Sequence, residues 1–264
     1  MTAPPTAPRL VQEGRPLGIL AALPEEIAGL VEQMQSRRVA CWGQRDFHAG
    51  MLHGQPCVIA LSRIGKVAAA ASAATLIHRF DVAGIIFSGV AGGVGAHVQV
   101  GDVVVAETLL QHDLDASPLF PRFEVPLLGQ ARFAADPALT QRLAQAVNAF
   151  LPHAPALGHG THGDLHRTPR LHRGLIASGD RFVSGAAERA ALIRALPDLL
   201  AVDMESAAVA QVCHEHAVPV AIVRTLSDAA DDHAAMSFAR FLTERAAPYA
   251  QAIFSAFLAP AATL

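Results

Sequence analysis

The sequence of 264 residues predicts a three-layer α/β/α domain around a central twisted sheet that is mixed and mostly parallel. Its length fits one large α/β domain of roughly 200–250 residues. Continuous apolar runs, such as LGILAAL at 17–23 and VAGIIFSGVAGG at 82–93, indicate strands that are buried on both faces. Helical segments follow most of these runs, and this strand–helix alternation is typical of α/β folds.

The remaining elements continue the alternation along the chain. Proline at the first helical position predicts a helix over PEEIAGLVEQM at 24–34. The stretches FHAGMLHG and QPCVIALSRIG predict a hairpin over His53-Gly54, and an Ala-rich helix follows at 66–80. The later predicted elements are a strand at 102–115, a helix at 138–151, a strand and loop at 174–183, a helix at 186–197, a strand at 199–206, a helix at 206–216, a strand at 218–228 and a C-terminal helix at 237–258.

Composition and charge argue against several classes of protein. The net charge is −3 and the charged residues are scattered without a basic stripe, which argues against a nucleic-acid partner. No window of 18 apolar residues lacks a charge or a helix breaker, so we expect no membrane span. Cys41, Cys57 and Cys213 lie far apart without a CxxC motif, which is typical of reduced thiols in a cytoplasmic protein.

The N-terminal residues 1–16 differ in character from the rest of the chain. They contain four prolines, and no apolar segment follows a basic start as it would in a secretory signal. We therefore expect a flexible tail here and a folded domain over 17–264.

A His-rich insert is predicted near 152–173. The stretch from 152 to 174 holds five of the thirteen histidines, and His159, His162 and His166 have spacings that could bind a metal. These residues lie in a Gly- and Pro-rich excursion with no cysteine among them. We interpret the segment as an exposed insert and expect no metal site.

Polar residues recur where the predicted strands end. Ligands of open α/β sheets bind beyond the carboxyl ends of the strands, so these residues are candidates for one site. No P-loop motif and no cluster of His and Cys accompanies them. The carboxylates indicate an acid/base site for a neutral polar small molecule, such as one that contains a sugar. The candidates are Glu25 and Glu26, Ser62 and Arg63, Ser88 with Gly89, Gly92 and Gly93, Ser178 to Asp180, Asp203 to Glu205, and Ser227 with Asp228.

Seven motifs occur in order between about Leu17 and Phe257: LGILAALPEEIAGL, SRIGKVAAA, FSGVAGGV, VGDVVVAE, GLIASGDRFVSG, AVDMESAAVAQVC and VRTLSDAAD. Together they resemble the purine nucleoside phosphorylase superfamily, and most closely its 5′-methylthioadenosine/S-adenosylhomocysteine nucleosidases. The resemblance implies hydrolysis of the N-glycosidic bond of a small-molecule nucleoside with release of adenine. It also implies a homodimer and neither a cofactor nor a metal.

The resemblance assigns roles to the carboxylates. Glu205 would bind the ribose hydroxyls, since a carboxylate accepts two hydrogen bonds from a vicinal diol. Asp228 would be the general acid that protonates adenine N7, and Glu26 would activate water. Each also has a structural interpretation, because acids are common in the first turn of a helix and in turns after strands. Asp203 is interpreted as a strand-end or capping acid.

Further substrate-binding residues follow from the same resemblance. Phe182 would stack on adenine, and Val183 would offer its backbone to the base edge; packing in the core is the alternative for Phe182. Ser227 would hold the carboxyl of the general acid. The remaining candidates are Met204 under the sugar, Ile64 and Phe238 near the 5′ substituent, and Val90, Ala91 and Gly92 in the glycine turn.

Three alternatives remain open at this point. A phosphorylase needs cationic groups for phosphate, and Arg63 could be one of them, although we favour a surface position for it. The segment 112–129 departs from the family pattern, so the 5′ group could differ, as in a futalosine-like or adenosyl-lipid nucleoside. A non-catalytic nucleoside sensor is the third alternative, and retention of Glu26, Glu205 and Asp228 argues against it.

Overall fold

The structure, a computed structural model, describes residues 14–154 and 168–259. The predicted tail is outside these residues except for 14–16. The described strands are β1 (Leu17–Ala21), β2 (Gln35–Trp42), β3 (Arg45–Leu52), β4 (Gln55–Leu61), β5 (Gly84–Gly93), β6 (Val103–Gln111), β7 (Arg132–Ala134), β8 (Leu171–Ser178), β9 (Leu199–Asp203) and β10 (Val220–Asp228). The described α-helices are α1 (Pro24–Gln33), α2 (Lys66–Phe80), α3 (Pro137–Phe150), α4 (Ala186–Ala195), α5 (Ser206–Glu215), α6 (Ala234–Phe241) and α7 (Ala247–Leu258).

The strands form one mixed sheet that closes on itself at one end, which confirms the predicted fold class. Strands β4, β1, β5 and β10 run parallel to one another, and β6, β8 and β9 form a second parallel group. The two groups meet in antiparallel fashion, because β10 pairs with β6 and β5 pairs with β9. The ring β5–β10–β6–β8–β9 therefore brings the ends of β5, β9 and β10 close together.

The helices cover both faces of this sheet. Helices α2 and α5 pack on one face, where Ala69, Ala73 and Leu76 of α2 are fully buried. Helices α1, α3 and α7 pack on the other face around residues such as Ile253 and Phe254. Burial of one such large apolar side chain favours folding by about 1.5–3 kcal/mol.

The predicted hairpin over His53-Gly54 is confirmed. Leu52 pairs with Gln55, and the two turn residues have φ values of 48° and 79°. Positive φ at both central residues is the geometry of a two-residue turn whose twist matches that of the strands.

Three elements differ from the sequence prediction. Strand β2 was not predicted, because it is an edge strand with mostly exposed residues and so lacks an apolar signature. The three-residue strand β7 was too short to detect. The C-terminal helix begins earlier than predicted, at Ala234, and Leu242–Ala246 form a π-helical turn just before Pro248. Proline lacks a backbone N–H, which loosens the preceding turn.

Residues 155–167 lie outside the described part of the chain. The expectations for His159, His162 and His166 therefore concern residues that the structure does not describe. Within the described ranges, no group of three or more His, Cys, Asp or Glu side chains could hold a metal ion. None of the helices described is long and apolar enough to cross a membrane.

Candidate active site

A cavity of about 360 Å³ lies beyond the carboxyl ends of β1, β5, β9 and β10. The family resemblance in the sequence assigned twelve residues to catalysis and substrate binding, and the tertiary structure brings all twelve together. The cavity is lined by Glu26, Asp228, Glu205, Met204, Phe182, Val183, Ser227, Ile64, Val90, Ala91, Gly92 and Phe238. Six further residues line it: Ala22, Leu23, Arg181, Val202, Asp203 and Arg224.

Glu26 projects into the cavity from the first turn of α1. Its carboxylate accepts backbone N–H groups from Ala22 at 2.8 Å, Leu23 at 2.9 Å and Val90 at 3.0 Å. The side chain is buried, and burial raises its pKa, while the charge of Arg224 and the three N–H donors act in the opposite direction. The result is a rigidly oriented carboxylate whose proton affinity is above the ordinary value.

Asp228 ends β10 and is buried. Its Oδ2 accepts the hydroxyl of Ser227 at 2.8 Å, and its Oδ1 accepts the N–H of Ala230 at 2.9 Å. Burial raises the pKa of this carboxyl against the effect of these two hydrogen bonds, and the charge of Asp231 adds to the increase. A Cβ at Gly92 would lie only 2.9 Å from Oδ1, so glycine there allows β5 to approach the carboxyl closely.

Arg224 is a buried charged residue of the site that was not predicted from the sequence, and Arg181 at the rim was not predicted either. Arg224 lies in the middle of β10 with 1% of its side chain exposed. Its Nε donates to Asp203 Oδ2 at 2.7 Å, its Nη2 lies 3.8 Å from Glu205 Oε2, and its guanidinium stacks 4.0 Å from the ring centre of Phe87. A signal was present, because an arginine inside the apolar strand VAIVRTLSD must be paired when buried.

Close packing around Gly89 also places Arg224 beside Glu26. A Cβ on Gly89 would lie 2.1 Å from Arg224 Nη1 and 2.7 Å from Glu26 Oε1. Arg224 Nη2 has no hydrogen-bond partner among the described residues, although it is buried. A single guanidinium therefore faces Glu26, Asp203 and Glu205, and its Nη2 still has N–H groups that can donate a hydrogen bond to a ligand or to water.

Glu205 lies at the start of α5 and is buried. Its Oε1 accepts the N–H of Gly65 at 2.9 Å. Burial, and next the negative charge of Asp203, raise its pKa to about 7, although Arg224 opposes the change. The charge of Glu205 therefore changes near neutral pH.

Asp203 has a capping role, as the sequence suggested, and a second role that it did not. Its Oδ1 accepts the N–H groups of Glu205 and Ser206, each at 3.3 Å, at the start of α5. Both its oxygens are also engaged by buried partners: the hydroxyl of Ser178 bonds to Oδ1, and Ser206 and Arg224 bond to Oδ2. Asp203 therefore anchors the guanidinium that the other carboxylates share.

Aromatic and aliphatic side chains form the outer wall of the cavity. The rings of Phe182 and Phe238 meet edge to face with centres 5.6 Å apart. Phe182 and Ile64 are 42% and 54% exposed, while Val183 is buried. An apolar wall with this much exposure offers a surface on which a flat or aliphatic ligand group can pack. Arg181 lies at the rim, and its Nη2 is 3.1 Å from Glu188.

Two regions in doubt from the sequence do not line the cavity. Arg63 has φ of 67°, donates to the carbonyl of Gln44 and does not line the cavity. The segment 112–129 forms turns, with Leu119 and Leu127 at 84% and 93% exposure.

Comparisons with known proteins agree with this geometry. Residues 16–259 match the model of the phosphorylase superfamily. A 5′-methylthioadenosine/S-adenosylhomocysteine nucleosidase of Anoxybacillus flavithermus is 36% identical over 231 residues, which are 87% of this chain and 92% of the relative.

Solved structures of similar proteins cover nearly the whole chain. The Neisseria meningitidis 5′-methylthioadenosine/S-adenosylhomocysteine nucleosidase in complex with methylthio-immucillin-A matches with a TM-score of 0.81 and 34% identity, covering 92% of this chain and 98% of that one. A futalosine hydrolase mutant of Helicobacter pylori matches with a TM-score of 0.79 and 31% identity, over 92% and 98% of the two chains. The resemblance found in the sequence is confirmed, and the chain belongs to the phosphorylase superfamily and, within it, to the family of 5′-methylthioadenosine/S-adenosylhomocysteine nucleosidases.

Proposed function

We propose that the protein hydrolyses the N-glycosidic bond of 5′-methylthioadenosine and S-adenosylhomocysteine and releases adenine. The observation that carries this proposal is the convergence of Glu26, Glu205 and Asp228 on one cavity beside Arg224, in a chain of this family. Acid/base cleavage of a glycosidic bond needs an acid for the leaving group and a base for water, on opposite sides of the sugar.

Asp228 is proposed as the general acid. Its raised pKa favours the protonated form, which donates to N7 of adenine as the C1′–N9 bond breaks. The electron pair of that bond stays with the base, and the protonated base is a better leaving group. Ser227 holds Oδ2, so the proton-bearing carboxyl has a fixed orientation.

Glu26 is proposed as the base that activates water. Water oxygen forms the new bond to C1′, and Glu26 accepts a water proton, which balances the proton given up by Asp228. The three N–H donors hold the Glu26 carboxylate in one orientation. Arg224 Nη1 packs beside this carboxylate at Gly89, and Arg224 Nη2, which has no hydrogen-bond partner in the described chain, is proposed to help to orient the water. The surrounding negative charge also stabilises the oxocarbenium-like sugar.

The remaining cavity residues are proposed to bind the nucleoside. Glu205 accepts hydrogen bonds from the ribose hydroxyls, with Met204 packed beside the sugar. Phe182 packs on adenine and Val183 offers its backbone groups to the base edge. The other contacts come from Val90, Ala91 and Gly92 along β5, and from Ile64 and Phe238 near the 5′ substituent.

The charges of the cavity support water rather than phosphate as the nucleophile. Arg181 and Arg224 are the cations that line it in the described structure. Asp203 engages Arg224 directly, with Glu205 and Glu26 nearby, and Arg181 pairs with Glu188 at the rim. A phosphate ion beside these carboxylates would be repelled, because the charges of both guanidinium groups are already offset by neighbouring carboxylates. Arg63, the anion-binding alternative, does not line the cavity.

We further propose a homodimer in the cytoplasm. Val67, Leu119 and Leu127 are 82%, 84% and 93% exposed, and a second copy of the chain would remove these apolar side chains from water. Light scattering of the intact protein tests the dimer. A cytoplasmic location is supported by three free cysteines, of which Cys57 and Cys213 are buried.

The decisive experiment is adenine release from 5′-methylthioadenosine with and without phosphate, with the sugar identified by mass. Free 5-methylthioribose at equal rates in both reactions supports the proposal. A sugar 1-phosphate that forms only with phosphate would replace it by phosphorolysis. If the protein cleaved futalosine and not 5′-methylthioadenosine, the proposed acid/base hydrolysis would stand and the proposed 5′ substituent would be wrong. Substitutions in the segment 112–129 would then test whether it selects the 5′ group.

A further inference from the structure

Lys66, which does not line the cavity, joins three loops that border it. Its Nζ lies 2.6 Å from Asp113 Oδ1 and 3.0 Å from Gln111 Oε1. Asp113 Oδ2 accepts the N–H of Asp180 at 2.8 Å, and Asp180 Oδ1 accepts the N–H of Lys66 at 2.7 Å. Lys66, Asp113 and Asp180 thus form a closed ring of polar contacts, which we call the Lys66 ring.

The Lys66 ring is attached to both the sugar side and the base side of the cavity. Gly65, the residue before Lys66, donates its N–H to Glu205 at 2.9 Å. Phe182 and Val183 follow Asp180 by two and three residues and line the cavity. Any shift of the ring therefore moves residues proposed to contact ribose and adenine.

The ammonium of Lys66 holds the carboxylate of Asp113 in this ring, while the backbone N–H of Lys66 holds that of Asp180. The side chains of Lys66 and Asp113 are only 16% and 22% exposed, so water screens the pair weakly. Burial by itself would raise the pKa of Asp113, but the hydrogen bonds from Lys66 and from the Asp180 N–H outweigh it and lower the pKa. Without the cation, the partly buried carboxylate of Asp113 would lose its charged partner and turn toward water, which weakens its hydrogen bond to the N–H of Asp180 and so the hold on the loop of Phe182.

We propose that Lys66 is a positioning residue for nucleoside binding: through Asp113 and Asp180 it holds the base-binding loop and the Gly65 turn against the cavity. The inference rests on the proposed function and extends it to a residue that does not touch substrate. It predicts an effect on binding and little effect on chemistry, because Glu26 and Asp228 are held by other contacts.

The test is Lys66→Met in the full-length protein, with kcat and KM measured for 5′-methylthioadenosine and the Kd of adenine measured by calorimetry. Loss of a hydrogen bond to a charged group is expected to raise both KM and Kd about tenfold, with kcat changed by less than about threefold. The matched control is Arg132→Met. Arg132 does not line the cavity, and its guanidinium forms two hydrogen bonds with Asp198, of 2.6 and 2.9 Å, which this substitution removes. This control is expected to leave KM and Kd unchanged.

A second variant separates positioning from loss of stability. In Lys66→Met/Asp113→Asn the uncompensated charge is gone while an acceptor for the Asp180 N–H remains, so the Kd of adenine is expected to recover at least about threefold. Unchanged KM and Kd in Lys66→Met, or no recovery in the double variant, would overturn the positioning role. A wild-type protein that binds adenine but cleaves no nucleoside would overturn only the proposed function. The Kd of adenine for Lys66→Met, compared with that for the wild type, would still test the role of Lys66.

Discussion

Replacing Arg224 by methionine removes the one cation that the buried carboxylates of the site share in the described structure. Asp203 loses a bond of 2.7 Å, and Glu205 loses a charge at 3.8 Å. The side chains of all three residues are at most 7% exposed, so solvent cannot replace the guanidinium. Removal of one partner from such a buried pair costs about 3–5 kcal/mol. For a chain of this size, each kcal/mol lowers Tm by about 2–4 °C, so we expect a decrease of roughly 6–20 °C.

The loss of stability should depend on pH. Arg224 lowers the pKa values of Glu205 and Glu26, which burial raises, so its removal raises both pKa values further. A carboxyl whose pKa is higher in the folded than in the unfolded protein binds more protons in the folded state. At low pH this carboxyl is protonated in both states and places no buried charge in the folded protein. The folded state is then destabilised progressively as pH rises through that pKa. The free energy of unfolding should therefore fall more at pH 8 than at pH 5.

Urea unfolding of wild-type and Arg224→Met protein at the two pH values measures this difference. The matched control is Arg132→Met, whose exposed ion pair with Asp198 should contribute no more than about 1 kcal/mol. A variant that folds at pH 5 and is unfolded at pH 8 would meet the prediction. A loss below about 1 kcal/mol, or an equal loss at both pH values, would refute the idea that Arg224 compensates buried carboxylates.

Three further predictions concern the proposed reaction. Asp228→Asn cannot donate the proton, so kcat should fall by about 10²–10⁴-fold while calorimetry still detects adenine binding; retained turnover would contradict the acid assignment. The pKa of Glu205 of about 7 predicts that KM rises as pH falls below 7, because the protonated carboxyl accepts ribose hydroxyls less well; KM measured from pH 5 to 8 tests this, and Glu205→Gln should abolish the dependence. Phe182→Ala removes a stacking surface and should raise the Kd of adenine about tenfold, by analogy with base stacking of about 1–3 kcal/mol, whereas an unchanged Kd would assign the ring to packing alone.

Local sequence patterns predicted those site residues that are both chemically distinctive and located at the ends of strands. Glu26 and Glu205 come shortly after buried strands and Asp228 ends one, and the carboxyl ends of parallel strands meet at one edge of a sheet. Ordered motifs then supplied the family. The edge strand β2 escaped prediction because nearly all of its residues are exposed and it has no apolar face. The π-helical turn before Pro248 escaped because periodicity alone does not show a single widened turn.

The sequence by itself determined the fold class, the family and twelve of the residues that line the cavity, since these depend on apolar periodicity and on motifs of a few adjacent residues. Only the tertiary structure decided which charges neutralise one another. Arg224 meets Asp203 across 21 positions, and Lys66 meets Asp113 across 47. Such partners are set by strand order and by the closure of the sheet, because a buried charge must be paired with whatever the fold places beside it.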